Sequence, residues 1–238
     1  KAYGEELADV ILEWSEADKY VETRYMQYKS PTREGHPSNW EPTDFNQTPL
    51  EPFWGTHRTF FVKDGTQCDI DKAPAYGGKG DTTGELYKQA KKVWTVDKTL
   101  TEEQRTIAQY WADDPSETST PAGHWMEIMG NFVKSENMKL DRACELYALV
   151  TTSMNDACIT VWHTKYRVNL VRPKTVIQET LDSKWEPYVE TPPFAGYTSG
   201  HSGFSGAAAT ILTSRIGDNL AFIDSSHVDI GLLPRNFK

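Results

Sequence analysis

The stretch KLDRACELYALVTTSMNDACITVWHTKYRVNLV, residues 139–171, decides the reading of this chain. Leu140, Ala143, Cys144, Tyr147, Val150, Thr151, Met154, Ala157, Cys158, Val161 and Trp162 recur along it at three- and four-residue steps. That spacing gathers them on one broad apolar stripe of a helix. So wide a stripe needs neighbours on several sides. The segment is therefore expected to be the central helix of an all-α, bundle-type fold.

The flanking sequence supplies partners. Residues 5–29 read as an amphipathic helix through Val10, Ile11, Trp14, Ala17, Val21 and Tyr25. From Ser30 to Lys79 prolines 31, 37, 42, 49, 52 and 74 interrupt a polar stretch, which excludes long helices. Its aromatics (Trp40, Phe45, Phe53, Trp54, Phe60, Phe61) predict a loop packed on the body, not a linker. Helices are expected again over 83–94 and from the capping box T-E-E-Q at Thr101 to about Trp111, where Asp113, Asp114 and Pro115 end the run. Pro121 and Gly123 precede a helix through His124, Trp125, Ile128, Met129 and Phe132. Pro173 opens another to about Leu181, and a small-residue helix runs from Ser202 to Ser214. No strand pattern or internal repeat is visible. Residues 1–238 are expected to form one helical domain, with 30–80 an irregular packed segment and 139–238 the chemically informative part.

Composition excludes several classes. The 238 residues carry 25 Lys plus Arg against 34 Asp plus Glu, a net charge of −9, which disfavours a general nucleic-acid binder. Eight Trp, eleven Tyr and nine Phe exclude a disordered chain. No apolar run reaches the roughly 18 residues that span a membrane. Cys68, Cys144 and Cys158 show no C-x-x-C spacing; the last two, fourteen residues apart on one helix, sit about 21 Å apart, too far to bridge. Asn46-Gln47-Thr48 matches a glycosylation sequon, a pattern common by chance.

Two segments carry chemistry. In Trp162–Pro173, Lys165 and Arg172 stand seven residues apart, which on a helix returns them to within about 20° of one face. Two such cations need a counter-anion, unless the face is merely solvated. In Thr191–Gly203 a Pro/Gly loop enters a helix through Ser199, Gly200 and His201. A helix start presents free N–H groups and a positive dipole end. Taken alone it also reads as a capped helix with a surface His. Together the two segments can converge on one oxyanion, held by the Arg fork and the Lys charge. His201 would serve as a general acid or base. His36 and His57 read as surface or packing residues, His124 as a structural hydrogen-bonding residue, and His163 as facing away from Lys165.

The pattern K-x6-R-P followed by S-G-H resembles the superfamily of vanadium haloperoxidases and type-2 phosphatidic-acid phosphatases (PAP2). Trp162, three residues before Lys165, and the approach Pro192-Pro193-Phe194-x-x-Tyr197-x-Ser199-Gly200-His201 are similar to the haloperoxidase branch. So are Trp111-x-Asp113 and Pro121-x-Gly123-His124-Trp125, which look like segments of its bacterial members. Thr198 stands where Pro is commoner. The resemblance covers roughly residues 50–238 and is specific in the last hundred. It implies an all-α helical bundle in which Lys165, Arg172, Ser199 and Gly200 bind vanadate or phosphate. His201 is then the acid–base residue, and Phe194 and Trp162 line the halide or substrate side. In the haloperoxidases vanadate is the prosthetic group with which peroxide oxidises halide. In the phosphatases no cofactor is needed and the pocket holds a phosphate ester. A catalytically incomplete oxyanion-binding module is the third reading. By family analogy alone, export from the cytoplasm is expected.

The family also needs S-R, five residues, then His. Ser214-Arg215 is the only late S-R pair, and His227 follows Arg215 by twelve residues. Ser214-Arg215 is read as closing a helix before a loop. The vanadium-ligating His is therefore expected beyond Lys238, and the 238 residues alone are expected to be inactive.

Overall fold

The structure, a computed structural model, describes residues 2–44, 47–70 and 72–237. Phe45 and Asn46, with its sequon, lie outside the described residues. Helices dominate: α1 (Ala2–Glu16), α2 (Tyr20–Arg24), α3 (Glu85–Asp97), α4 (Glu102–Tyr110), α5 (Thr120–Ser135), α6 (Leu140–Val168), α7 (Pro173–Thr180) and α8 (Gly200–Ile216). The all-α reading holds. No helix among the described residues is long and apolar enough to cross a membrane.

The central helix is α6. It packs chiefly against α8, and also against α5 and a 3-10 turn at Trp54–Thr56. Met129, Leu146, Val150, Met154 and Ala208 fill the core between α5, α6 and α8. A second core joins α3 and α7 through Leu86, Ala90, Val176 and Ile177, with Tyr76, Leu170, Val171 and Trp185. Residues 169–172 lead from α6 into α7, with Leu170 and Val171 buried in the second core.

Several local expectations need correction. The first helix breaks after Glu16, and Lys19 takes a left-handed φ of 79° before α2. Val10, Ile11, Val21 and Tyr25 stay exposed, while Trp14 lies under the Arg58 guanidinium, 3.5 Å from its ring centre. Cys144 and Leu140 fall outside the buried stripe of α6. Pro121 and Gly123 lie inside the first turn of α5 rather than before it, since proline is tolerated where no N–H partner is needed. Helix α8 begins at Gly200, earlier than its apolar residues suggest, because Ser199 caps it. Two strands also form, β1 (Phe222–Asp224) and β2 (Arg235–Phe237), antiparallel with Phe222 opposite Phe237. Three residues each are too few to show alternation in sequence. The Thr101 capping box forms with Gln104 as read.

The irregular segment is fastened to the bundle by backbone bonds. Trp40 N–H donates to Asn169 O at 2.8 Å, and Val171 N–H to Ser38 O at 2.7 Å. Asp156 on α6 accepts from the N–H groups of Phe60, Phe61 and Val62 at 2.7, 2.7 and 3.0 Å. Trp40 is fully buried, as a packed loop requires, but the Phe60 and Phe61 rings are exposed. Their backbone, not their rings, makes the attachment. Gly55 shows how close the approach is: a Cβ there would lie 2.5 Å from the backbone of His163. Gly55→Ala is expected to cost about 1–3 kcal/mol, read as a lower urea midpoint with unchanged slope. An unaltered midpoint would show that the turn does not bear on α6.

Candidate functional site

Asn169 ends α6 in the left-handed conformation (φ 49°), one of the few side chains that tolerates it. Arg172 is consequently not on the helix that carries Lys165. It is the extended N-cap of α7, held so by Pro173. The helical seven-residue argument is therefore corrected: a tight turn, not a repeat of the helix, brings Arg172 back beside Lys165.

Lys165 is fully buried and donates one hydrogen bond, to Ala195 O at 3.1 Å. Its Nζ lies 4.6 Å from the Phe194 ring centre and 5.9 Å from that of Trp162. The Arg172 guanidinium lies 5.3 Å from the same Phe194 ring, and its Nε is sealed from solvent without a partner. Among the described residues no carboxylate forms an ion pair with either cation. Burial, then the Arg172 charge, pushes Lys165 down to about 7; burial lowers Arg172 to about 10. Two uncompensated cations in a desolvated place are costly unless an anion joins them.

The helix start closes the same region. Gly196 N–H donates to Leu170 O at 2.8 Å, pinning the 191–200 loop to the turn after α6. The Trp162 and Phe194 ring centres lie 5.4 Å apart, tilted by 56°, and the Trp162 ring would lie 3.5 Å from a Cβ on Gly200. Ser199 Oγ accepts from Ser202 N–H at 3.2 Å, so its own hydroxyl proton stays free to donate. Thus Lys165, Arg172, Trp162, Phe194 and Gly200 come together, with Ser199 and His201 on the same helix start. No hydrogen bond or ion pair joins His201 to Lys165 or Arg172 among the described residues. His201 is half-exposed, with Nε2 3.8 Å from Asp113 Oδ2.

A pH signature follows from Lys165. Its folded pKa is depressed, so between about pH 7 and its ordinary value of 10.5 the unfolded chain holds one proton more than the folded chain. Stability should then rise with pH across that window, by up to about 1.4 kcal/mol per unit. Lys165→Met should lack that rise when both are melted over the same pH series.

Sequence reasoning missed the neighbouring polar cluster. His124 is buried, its Nδ1 3.0 and 3.1 Å from the two Asp113 oxygens and its Nε2 2.8 Å from Asp224 Oδ2. Burial would lower its pKa, but the two carboxylates outweigh that and raise it to about 9. Asp224, despite burial, is held at about 2 by hydrogen bonds from His124 and Ser226. His227 Nε2 lies 3.2 Å from Asp113 Oδ1. His124 fits its reading as a hydrogen-bonding core residue, whereas His227 gave no sequence signal of burial. Arg215 sits in the last turn of α8 with Glu145 at 3.7 Å, as a helix-closing residue should. His57 packs against Thr23 at 2.7 Å, and His163 turns toward Asp69 and the 3-10 turn.

This architecture, with paired buried cations delivered to the start of a later helix, defines a class. A family model described as the VCPO second helical-bundle domain matches residues 145–184 and 178–236, the segments that carry Lys165, Arg172, Phe194, Ser199 and His201. The family-model match, with the structural likenesses that follow, supports a place in a vanadium haloperoxidase-like superfamily. A bacterial vanadium-dependent iodoperoxidase is similar over 100% of this chain, with 37% identity and a TM-score of 0.92; the match covers 59% of that protein. Holo and apo structures of a bacterial vanadium-dependent chloroperoxidase share the fold over 90% of the chain. Their TM-scores are 0.64 and 0.62, their identities 17% and 14%, and the matches cover 55% and 56% of those chains. The chain thus spans somewhat more than half the length of these relatives. No curated protein sequence matches it.

Proposed function

We propose that this chain supplies the oxyanion-binding part of a vanadium-dependent haloperoxidase. The observation that carries the reading is the buried pair Lys165 and Arg172, neither of which forms an ion pair with a carboxylate among the described residues, with an orphaned Arg172 Nε. Such a pair fits a tetrahedral oxyanion. Arg172 and Lys165 would hold its oxygens by charge-assisted bonds, and Ser199 Oγ–H and the Gly200 N–H would bind another. Vanadate bound there would supply the Lewis-acid activation of peroxide. His201 would hold or release a proton at its Nε2, with Asp113 as the nearby acceptor. Phe194 and Trp162 would exclude water from the halide side. Iodide is the first halide to test, given the iodoperoxidase likeness over the whole chain.

The direct test is binding, because these 238 residues contain no S-R-x5-H segment. Vanadate or phosphate should bind with one-to-one stoichiometry in calorimetry. At a hundredfold excess over Kd it should stabilise the fold by about 2.7 kcal/mol. No saturable binding of either anion overturns the assignment. For the reaction, triiodide formation from iodide and peroxide with vanadate is compared with phosphate-ester hydrolysis without it, in a chain that carries the S-R-x5-H segment. Hydrolysis without halide oxidation would replace the haloperoxidase reading with the phosphatase one.

A further inference from the structure

We propose that Asp113, His124 and His227 form a binding site for a divalent transition metal of the zinc type, separate from the Lys165–Arg172 pocket. The three side chains come from the segment after α4, from α5 and from the loop after β1, and all three are buried. One ligand atom from each falls within 4.8 Å of the others. The Asp113 Oδ1 to His124 Nδ1 distance is 3.0 Å, and Asp113 Oδ1 to His227 Nε2 is 3.2 Å. Ligands about 2.0–2.1 Å from a tetrahedral zinc are separated by about 3.3 Å, so two edges of the coordination shell are already near their length.

Two further features point to a ligand. His227 Nε2 is buried yet has no hydrogen-bond partner, although it faces the Asp113 carboxylate. An imidazole nitrogen so placed is able to ligate a metal ion. The second is the outer arrangement of His124. Its Nδ1 faces the cluster, and its Nε2 meets Asp224 at 2.8 Å. Asp224 is itself oriented by Ser226 N–H at 3.0 Å and Ser226 Oγ–H at 2.6 Å. A histidine ligand commonly hands its second ring N–H to a carboxylate in this way, which fixes the tautomer and raises its basicity. Trp111 stacks on His124 at 4.7 Å, and the Tyr110 ring lies 4.8 Å from that of His227, so both imidazoles are held in place.

Two imidazoles and one carboxylate select zinc-like ions over magnesium or calcium. Three protein ligands leave one position open, for water on the side of His201. When the metal is absent, a proton on His124 keeps the two carboxylates from facing each other as bare charges. The metal would take over that task and tie the strands after α8 to α4 and α5. The site shares only Asp113 with the oxyanion reading, where that carboxylate stands beside His201, and none of its ligands is an oxyanion-binding residue.

The test uses the untagged 238-residue chain after dialysis against a chelator. Cobalt(II) should give a saturable visible band characteristic of tetrahedral coordination at one equivalent, displaced by zinc but not by magnesium. His227→Gln should weaken cobalt binding at least tenfold, and Asp224→Asn by about 10- to 100-fold through loss of the outer carboxylate. If a variant fails to fold, X-ray absorption at the zinc edge of the unaltered protein decides, since two imidazoles must appear in the scattering. Absence of a one-equivalent band, a band indifferent to His227→Gln in a folded variant, or a spectrum without imidazole overturns the site.

Discussion

Arg172→Ala is expected to weaken vanadate or phosphate binding by about 10- to 150-fold. Each charge-assisted hydrogen bond that a guanidinium makes to an oxyanion contributes about 1.5–3 kcal/mol. Arg172 has an Nε already desolvated and unpartnered, so little remains to be lost from water when the anion arrives. The same change should not harm the fold. It removes a buried cation that no carboxylate offsets among the described residues, and Pro173 still sets the entry to α7. Calorimetric titration beside a thermal melt separates the two effects. Unchanged affinity in a folded Arg172→Ala protein would exclude this arginine from the pocket. A lysine in its place should recover only part of the affinity, since an ammonium is a point charge without the planar fork.

Asp156→Ala is expected to be among the most destabilising single changes in the chain, about 3–5 kcal/mol. The carboxylate is buried on α6 and accepts from three consecutive backbone N–H groups, those of Phe60, Phe61 and Val62. Removing it strands all three donors, each costing about 1–3 kcal/mol where water cannot replace the acceptor. Rehydration of the loop lowers the total below the simple sum. The Phe60 and Phe61 rings are both exposed, and the Phe60 ring contacts Trp14 of α1, 5.2 Å away, so it does not replace the bonds to α6. Asp156→Asn keeps the shape and one acceptor oxygen, so it should recover part of the loss. Hydrogen exchange at residues 60–62 provides the site-specific check: protection there should collapse in Asp156→Ala while the amides of α6 keep theirs. Retained protection at 60–62 would show that something else holds the segment.

Much of this molecule is legible from residue order. The apolar stripe of residues 139–171, the Thr101 capping box, and the proline-broken segment between Ser30 and Lys79 declare helices and loop correctly, because each depends on contacts a few residues apart. The residue types of the pocket were legible too: a Lys and an Arg in a fixed phrase, then Ser-Gly-His at a helix start. Their convergence was an expectation of that reading, but the route by which Arg172 comes beside Lys165 was not legible. It depends on Asn169 turning left-handed, on Ser38 and Trp40 clasping the residues after it, and on Gly196 bonding to Leu170 O. These contacts join distant parts of the chain, and no local pattern encodes them. The cluster of Asp113, His124, Asp224 and His227 belongs wholly to that second kind. Four ordinary polar residues, spread over more than a hundred positions, share one dry place only because α5 packs against β1. Local chemistry sets what each segment can be. Long-range packing alone decides which charges lose their water together, and those are the groups from which a site is made.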